Sequence, residues 1–452
     1  MRKTLLTGIM LRLILMPITA HPFDVYNSLV ISKEIVEKGP SLNYHYLAPL
    51  WYYFMVPLAY LYNWLSKISA VRPLPIEDLP SRLNPYPQFD LKFIPDPLFC
   101  FIIKVPMLVS DILVAWILFE LVRNMTRNNE YAEKAFGMWF LNPYLIWISC
   151  GWGKMDSLAA LFCMLSLYLM HKLRLRESAL SLVSAIGLKI YPLTFVAPLL
   201  IFFRKFAANR LRDLGLFFTY FAIGALLMAL IFADGLLDAP SRILSSSEGF
   251  RYGWGLTYWS FLLVIEVNKT ATILASTLLM VVAFTVVLAK SAKLSYRDGI
   301  LDLTIAELSC IIAIYVSYRV INEQYFVWAL PYIVLLVVHR RLSPKFRIAP
   351  SLIALLYSVT NLALPFFFLP IYPWAGGILY ESIILLNVDP RSAGEFRPHP
   401  SIGSITLAIL GSVFSILMLS MLKQILFKAQ NPQKLCARGE YDKGGSPRRS
   451  WI

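Results

Sequence analysis

The chain has 452 residues, of which 58% are hydrophobic and only 15% are charged. Soluble domains carry about 25% charged residues, and a water-soluble core this apolar would leave too little polar surface to cover it. We therefore expect the lipid bilayer to be the solvent of this protein. The net charge of +15 does not indicate nucleic-acid binding, because the basic residues lie in short clusters between apolar runs.

Apolar runs long enough to cross a membrane recur along the chain. A helical span needs about 20 predominantly apolar residues. The candidate spans are 4–20, 98–122, 135–150, 156–171, 213–233, 269–289, 300–318, 325–338, 349–370 and 402–424. We interpret the first run as a retained span rather than a cleaved signal peptide. Because Lys/Arg excess marks the cytoplasmic side, the basic clusters that follow these spans place both termini inside.

The segment 178–203 has basic residues at both ends, so it must enter and leave on the same side. It is too short for two full spans at a rise of about 1.5 Å per residue. We expect two short helices that meet near Lys189 and Pro192, where the proline breaks the helix. With this hairpin the chain has about twelve membrane helices by the apolar-run rule.

The first outer loop, 21–97, is long and rich in proline and tyrosine. Its apolar stretch 47–65 is interrupted by Pro49 and Pro57, and we interpret it as a helix in the outer leaflet rather than a span. Residues 1–424 then form one transmembrane domain. The tail 425–452 is polar and basic, a composition typical of disorder.

Polar residues gather at the predicted outer ends of the spans. Ionisable residues inside the bilayer are energetically unfavourable, and they are usually functional or paired. The candidate site residues are His21, Asp24, Asp156, Lys189, Arg251, Arg319, Glu323 and Gln324. Acids and cations therefore face one compartment, with Lys154 beside them.

Five short runs resemble, in order, motifs of one enzyme superfamily. They are KVPMLVSDIL from Lys104, WFLNP from Trp139, GKMDS from Gly153, LKIYP from Leu188 and QYFVW from Gln324. The series, over roughly residues 8–335, resembles the GT-C glycosyltransferases and most of all the catalytic subunit of GPI mannosyltransferase I and its prokaryotic relatives.

The resemblance implies an all-α GT-C fold and an inverting transfer of a hexose, with mannose favoured, from a polyprenyl- or dolichyl-phosphate donor. The acceptor would be a lipid-linked or glycan acceptor at the outer face of a prokaryotic plasma membrane or of the endoplasmic reticulum. It also implies a catalytic acid in the first outer loop, which corresponds to Asp24. The GPI enzyme has two acids separated by one residue in that loop, whereas this chain has one. A GPI acceptor is therefore not assumed.

The chemistry of such a transfer fits the candidate residues. A departing lipid phosphate is stabilised by fixed cations such as Lys189 and Arg319. A carboxylate such as Asp24 within hydrogen-bond reach of the acceptor hydroxyl can act as general base. We expect no cofactor and no metal, since the His residues are scattered and the five Cys residues have neither zinc nor disulfide spacing.

Other interpretations stay open. A lipid-linked saccharide flippase or transporter would have a similar set of membrane helices. Such folds usually show internal repeats, however, and none is visible in this sequence. A non-catalytic subunit with the same fold is a further alternative. For the single residues, Asp24 and Asp156 can cap helices, Lys189 can snorkel, and Arg319 can pair with Glu323. Lys104 and Asp111, in the second span, are interpreted as members of helix-packing ion pairs with neighbouring helices. Arg12 needs a buried acid or carbonyl partner.

Overall fold

The structure is a computed structural model that describes most of the chain. The described residues are 1–40, 49–69, 72–80, 91–206, 210–231, 254–265, 268–294, 296, 298–362, 364–385 and 402–428. Arg251 and residues 429–452 lie outside this part of the chain. The predicted role of Arg251 and the predicted disorder of most of the tail therefore stay predictions.

Helices dominate the part of the chain that the structure describes. They are α1 Arg2–Ile18, α2 Pro22–Lys38, α3 Pro49–Ser66, α4 Pro97–Thr126, α5 Asn129–Phe140, α6 Pro143–Ile146, α7 Asp156–His171, α8 Leu175–Leu188, α9 Val196–Phe206, α10 Arg210–Ile231, α11 Lys269–Ser291, α12 Ile300–Ser317, α13 Phe326–Val338, α14 Lys345–Asn361, α15 Tyr372–Leu385 and α16 Ile402–Lys428. Each predicted span has a helical counterpart among them.

Short elements connect these helices. A π-helix covers Trp147–Trp152, and 3-10 turns cover Ile76–Asp78, Tyr191–Phe195, Tyr258–Leu263, Glu323–Tyr325 and Leu364–Ile371. Leu74–Pro75 pairs antiparallel with Phe93–Ile94, and Trp254–Gly255 pairs parallel with Val320–Ile321. The fold is thus all-α, as the sequence predicts, with only two-residue strands in the described residues.

Five of the described helices are long and apolar enough to cross a membrane, and seven spans result if two bent helix pairs count as one span each. This number is smaller than the roughly twelve helices that the apolar-run rule predicts. The shorter helices α5, α7 and α13 explain much of the difference. Two of them begin at candidate site residues: α7 begins at Asp156, and α13 follows the turn that carries Glu323 and Gln324.

The predicted hairpin has the expected local structure. α8 and α9 are short helices separated by Lys189, Ile190 and the 3-10 turn Tyr191–Phe195, which contains Pro192. The predicted first outer loop contains α2 and α3, and α3 covers most of the predicted apolar stretch, with Pro57 inside it. Because α2 is bent by 76° from α1, it leaves the direction of the first span. Its position at the membrane interface stays a prediction.

A buried charge network holds the first helices together. Arg12 Nε lies 2.9 Å from Asp111 Oδ2, and both side chains are fully buried. Arg12 also donates to the carbonyl oxygens of Gly8 and Phe140, and Ser149 Oγ donates to Asp111 Oδ2 over 2.6 Å. The helix-packing interpretation of Asp111 is therefore correct. Charges at this depth are stable only when paired in this way.

Two groups of charged residues lie at opposite ends of the helices. At one end, the amino terminus of Met1 pairs with Glu133 and Arg341 pairs with Asp298, in the region of the basic clusters. The turns after α1 and before α13 lie at the opposite end, because Met1 begins α1 and Arg341 follows α13. The turn before α7 lies there too, since Asp156 accepts a hydrogen bond from Trp328 near the start of α13. The candidate site residues in the described part of the chain belong to this second end.

Candidate active site

Asp24 is the centre of a first cluster, formed with His21, Trp152 and Lys154. Lys154 Nζ lies 2.7 Å from Asp24 Oδ1, and Trp152 Nε1 donates to Asp24 Oδ2 over 2.7 Å. His21 Nδ1 lies 2.9 Å from the same Oδ2. The side chain of Asp24 is 22% exposed, so the carboxylate is held by three partners and is still reachable from solvent.

The surroundings of Asp24 favour its ionised form. Burial alone raises the pKa of the Asp24 carboxyl, but the charges and hydrogen bonds of Lys154 and His21 outweigh burial. The pKa of Asp24 is therefore held well below its ordinary value. An opposite charge in direct contact acts in this way because it stabilises the carboxylate and not the neutral acid.

The turn that carries Asp24 is built by helix-start residues. His21 is the N-cap of α2, Pro22 takes the first helical position, and Asp24 lies in the first turn. Proline and an acid are both favourable at a helix start. His21 Nδ1 is also 3.3 Å from the backbone N–H of Asp24, so its protonation decides which of the two contacts it makes. The ring of His21 stacks on Trp152 at 4.4 Å with an interplanar angle of 4°.

Trp152 is the last residue of the π-helix Trp147–Trp152, an element type that is frequent at functional sites, and Lys154 lies in the turn after it. Gly153 ends the π-helix with a φ of +93°, a conformation that other residues adopt with strain. A Cβ at Gly153 would lie 3.0 Å from Lys104 Cε and 3.2 Å from Val25 Cγ2. Glycine is thus required here for both backbone conformation and space.

Asp156 is the centre of a second cluster, formed with Lys189, Tyr191 and Trp328. Trp328 Nε1 donates to Asp156 Oδ1 over 2.7 Å, and Lys189 Nζ lies 3.6 Å from the same oxygen. The ring of Tyr191 stacks on Trp328 at 4.1 Å with an angle of 8°. Asp156 is fully buried, whereas the Lys189 side chain is 20% exposed. Asp156 therefore holds Lys189, which reaches the surface of the site.

The two clusters have the same construction and lie side by side. In each, a carboxylate accepts from a tryptophan indole and pairs with a lysine, and a second ring stacks on that tryptophan. Lys154 and Asp156 are separated by one residue, and the charges of Lys154 and Asp24 act on Lys189. The structure thus brings Asp24, His21, Asp156 and Lys189 into one region.

Glu323 and Gln324 are buried in the turn before α13. Glu323 Oε1 accepts a hydrogen bond from Asn361 Nδ2 over 3.0 Å, and the charges of His21 and Lys154 act on Glu323. Glu323 therefore supplies a second carboxylate near Asp24. Among the described contacts, Glu323 makes no ion pair with Arg319, so the predicted alternative of an Arg319–Glu323 link is not observed. Arg319 itself is 4% exposed.

The helix-cap alternatives for the two aspartates are also not observed. The N-cap positions of α2 and α7 are His21 and Met155, and the Asp24 and Asp156 carboxylates contact tryptophans and lysines instead. Trp152 and Trp328 contact the two aspartates but are not among the residues that the sequence predicts for the site, although both lie in or beside motif runs. For Lys154 the sequence predicts only a cation on the same side.

No metal-ligand group is found in the described residues. No three His, Cys, Asp or Glu side chains among them converge in a way that could hold an ion. The four described cysteines, Cys100, Cys150, Cys163 and Cys310, are buried and free.

Comparison with known proteins agrees with the motif resemblance. The family model described as Mannosyltransferase (PIG-M) matches residues 148–231. The matched segment begins in the π-helix and contains Trp152, Lys154, Asp156 and Lys189, so it covers parts of both clusters. No curated protein matches the chain.

The described fold is that of an all-α polytopic membrane protein, and residues 148–231 are similar to the mannosyltransferase (PIG-M) family. This match is consistent with the resemblance to the GT-C superfamily and supports a membrane glycosyltransferase.

Proposed function

We propose that the protein transfers a hexose, with mannose favoured, from a polyprenyl- or dolichyl-phosphate donor to a lipid-linked or glycan acceptor, with inversion at the anomeric carbon. The reaction takes place at the extracytoplasmic face. The observation that carries this proposal is the reachable Asp24 carboxylate beside the Asp156–Lys189 pair. This is a base and a phosphate-binding cation at neighbouring positions.

In this mechanism the acceptor hydroxyl attacks the anomeric carbon from the face opposite the phosphate. Asp24 takes the hydroxyl proton, a new C–O bond forms, and the bond between the anomeric carbon and the phosphate oxygen breaks. The lipid phosphate leaves with the electron pair of that bond. Lys189 and Arg319 stabilise its charge, because preorganised cations at a developing anion lower the barrier.

The remaining residues hold these groups in place. Asp156 orients Lys189, while His21, Trp152 and Lys154 orient Asp24 and keep it ionised. A carboxylate with such partners is a weak base at rest. Proton transfer to Asp24 becomes favourable in the transition state, because the acceptor hydroxyl grows more acidic as its oxygen bonds to the anomeric carbon. Glu323 and Gln324, which are buried in the turn before α13, are assigned to substrate binding in this proposal.

The substrate is identified by an assay of the purified protein in proteoliposomes. Radiolabelled polyprenyl- and dolichyl-phosphate mannose and glucose are supplied in turn with a lipid extract, and the labelled products are separated. We expect one donor to label a lipid or glycan acceptor, with free lipid phosphate released in equal amount. Movement of the intact donor across the bilayer without a new glycosidic bond would support the flippase alternative and contradict the proposal.

A further inference from the structure

Lys104, near the start of α4, is a fully buried lysine. The proposed mechanism assigns it no role. Within the described residues, its ammonium group has no carboxylate among its hydrogen-bond partners. Instead, Nζ donates to the carbonyl oxygens of Met16, Thr19 and Gly151, at 3.0 Å for Met16 and 3.1 Å for Gly151. The expectation of a helix-packing ion pair is therefore wrong for Lys104, whose partners are backbone carbonyls rather than an acid.

The three acceptors match the chemistry of a charged lysine. An ammonium group has three N–H donors, whereas a neutral amine has two, so only the charged form satisfies all three carbonyls. Two of these carbonyls lie at the C-terminal end of α1, where helix carbonyls lack partners and a positive charge is favourable. The third belongs to the π-helix.

The two segments held by Lys104 are the ones that carry the first cluster. Thr19 lies two residues before His21, and Gly151 immediately precedes Trp152. The same two segments are also joined by the N–H of His21, which donates to the carbonyl of Trp152 over 3.0 Å. Gly153 packs against the Lys104 stem, since a Cβ there would lie 3.0 Å from Lys104 Cε.

We propose that Lys104 is a positioning residue that clamps these two turns together and so sets the contact between Asp24 and Lys154. This proposal rests on the proposed function of Asp24 as the base. Lys189 and Arg319 lie on other segments, so the clamp governs the base and not the binding of the donor phosphate. A displacement of about 1 Å at a reacting group can cost about 100-fold in rate.

The test uses purified full-length Lys104→Met, which keeps the stem and removes the donors. We expect kcat to fall about 10- to 100-fold with the KM for the donor changed less than about threefold. As the pH is lowered, we also expect the variant to lose activity at a higher pH than the wild type does. The reason is that a looser Asp24–Lys154 contact raises the pKa of Asp24. Lys104→Arg, which supplies donors and charge, should recover part of kcat.

Asp111→Asn serves as the matched control, because Asp111 also joins α4 to α1 but lies about two helical turns deeper. Asp111→Asn should lower the stability of the protein without changing the pH at which activity is lost on acidification. If Lys104→Met does not fold, Lys104→Gln is used with hydrogen exchange, and peptides spanning 16–24 and 148–156 should exchange faster than in the wild type.

The positioning role would be overturned if Lys104→Met and Asp111→Asn lost kcat equally and the acid limb of the pH–rate profile of Lys104→Met stayed at its wild-type position. Unchanged exchange of both peptides would do the same. Failure of the proposed function is a separate result: it is seen as full turnover of Asp24→Asn, whatever Lys104→Met does.

Discussion

Lys154 Nζ lies 2.7 Å from Asp24 Oδ1, although the two residues belong to different turns of the fold. Trp152, from the same turn as Lys154, donates to the other oxygen of Asp24. These two contacts thereby fix the orientation of the Asp24 carboxylate and favour its ionised form. In the proposed reaction this pair determines when Asp24 can accept a proton, and its removal has a measurable effect.

Lys154→Met should move the acid limb of the pH–rate profile upwards. In the wild type, Lys154 and His21 hold the pKa of Asp24 below its ordinary value, so Asp24 stays ionised as the pH falls. Without the lysine, burial raises this pKa, and the base is lost by protonation at a higher pH. Turnover is measured between about pH 4 and pH 8, around the ordinary Asp pKa of about 3.9. Identical acid limbs in the two proteins would contradict this electrostatic role.

Lys189→Met should weaken donor binding. Hydrogen bonds to charged groups contribute about 1.5–3 kcal/mol, so we expect the donor KM to rise about ten- to hundred-fold. Lys172→Met is the control, because Lys172 is an exposed lysine at the opposite end of α7. A donor KM that changes equally in both variants would show that Lys189 does not contact the phosphate.

Trp328→Phe should destabilise the second cluster. The substitution keeps an aromatic ring but removes the N–H that donates to the fully buried Asp156. Loss of a buried donor to a charged group costs about 1–3 kcal/mol. Thermal unfolding in detergent should show a lower Tm than for Trp64→Phe, since Trp64 is 60% exposed. An equal Tm for the two variants would mean that the Asp156 contact contributes nothing measurable.

The Arg12–Asp111 pair should behave as a coupled unit in the membrane interior. Removal of one partner of a buried pair costs about 3–5 kcal/mol, because the other charge is left without compensation. Arg12→Met and Asp111→Leu should therefore each destabilise the protein more than the double variant does. Unfolding free energies of the four proteins form a double-mutant cycle. Simple additivity of the two single effects would exclude the coupling.

Local elements could be predicted from the sequence because their causes are local. Apolar run length predicted the helices, and Pro192 predicted the break after Lys189. Even the need of Arg12 for a buried partner follows from the cost of a charge in the bilayer. The predicted span count is not confirmed, since predicted spans such as 156–171 correspond to helices too short to count as a full crossing.

Pairings across the fold could not be predicted in the same way. Nothing near Trp152 or Trp328 in the sequence indicates that each indole donates to a particular aspartate. Periodicity gives the face of a helix, but not the residue that another helix presents to it. Lys154 could have been selected, because it lies in a motif run two residues before Asp156.

The most direct test of the central claim is a comparison of wild-type protein and Asp24→Asn in sugar transfer from the radiolabelled lipid-phosphate donor. General bases contribute about 10²- to 10⁴-fold to rate, so we expect turnover to fall by that factor. Donor binding, measured separately by equilibrium filtration, should stay within about threefold of the wild type, as expected for a group that acts only in the transition state. Turnover of Asp24→Asn at the wild-type rate, with the protein folded and donor bound, would contradict the assignment of Asp24 as the base.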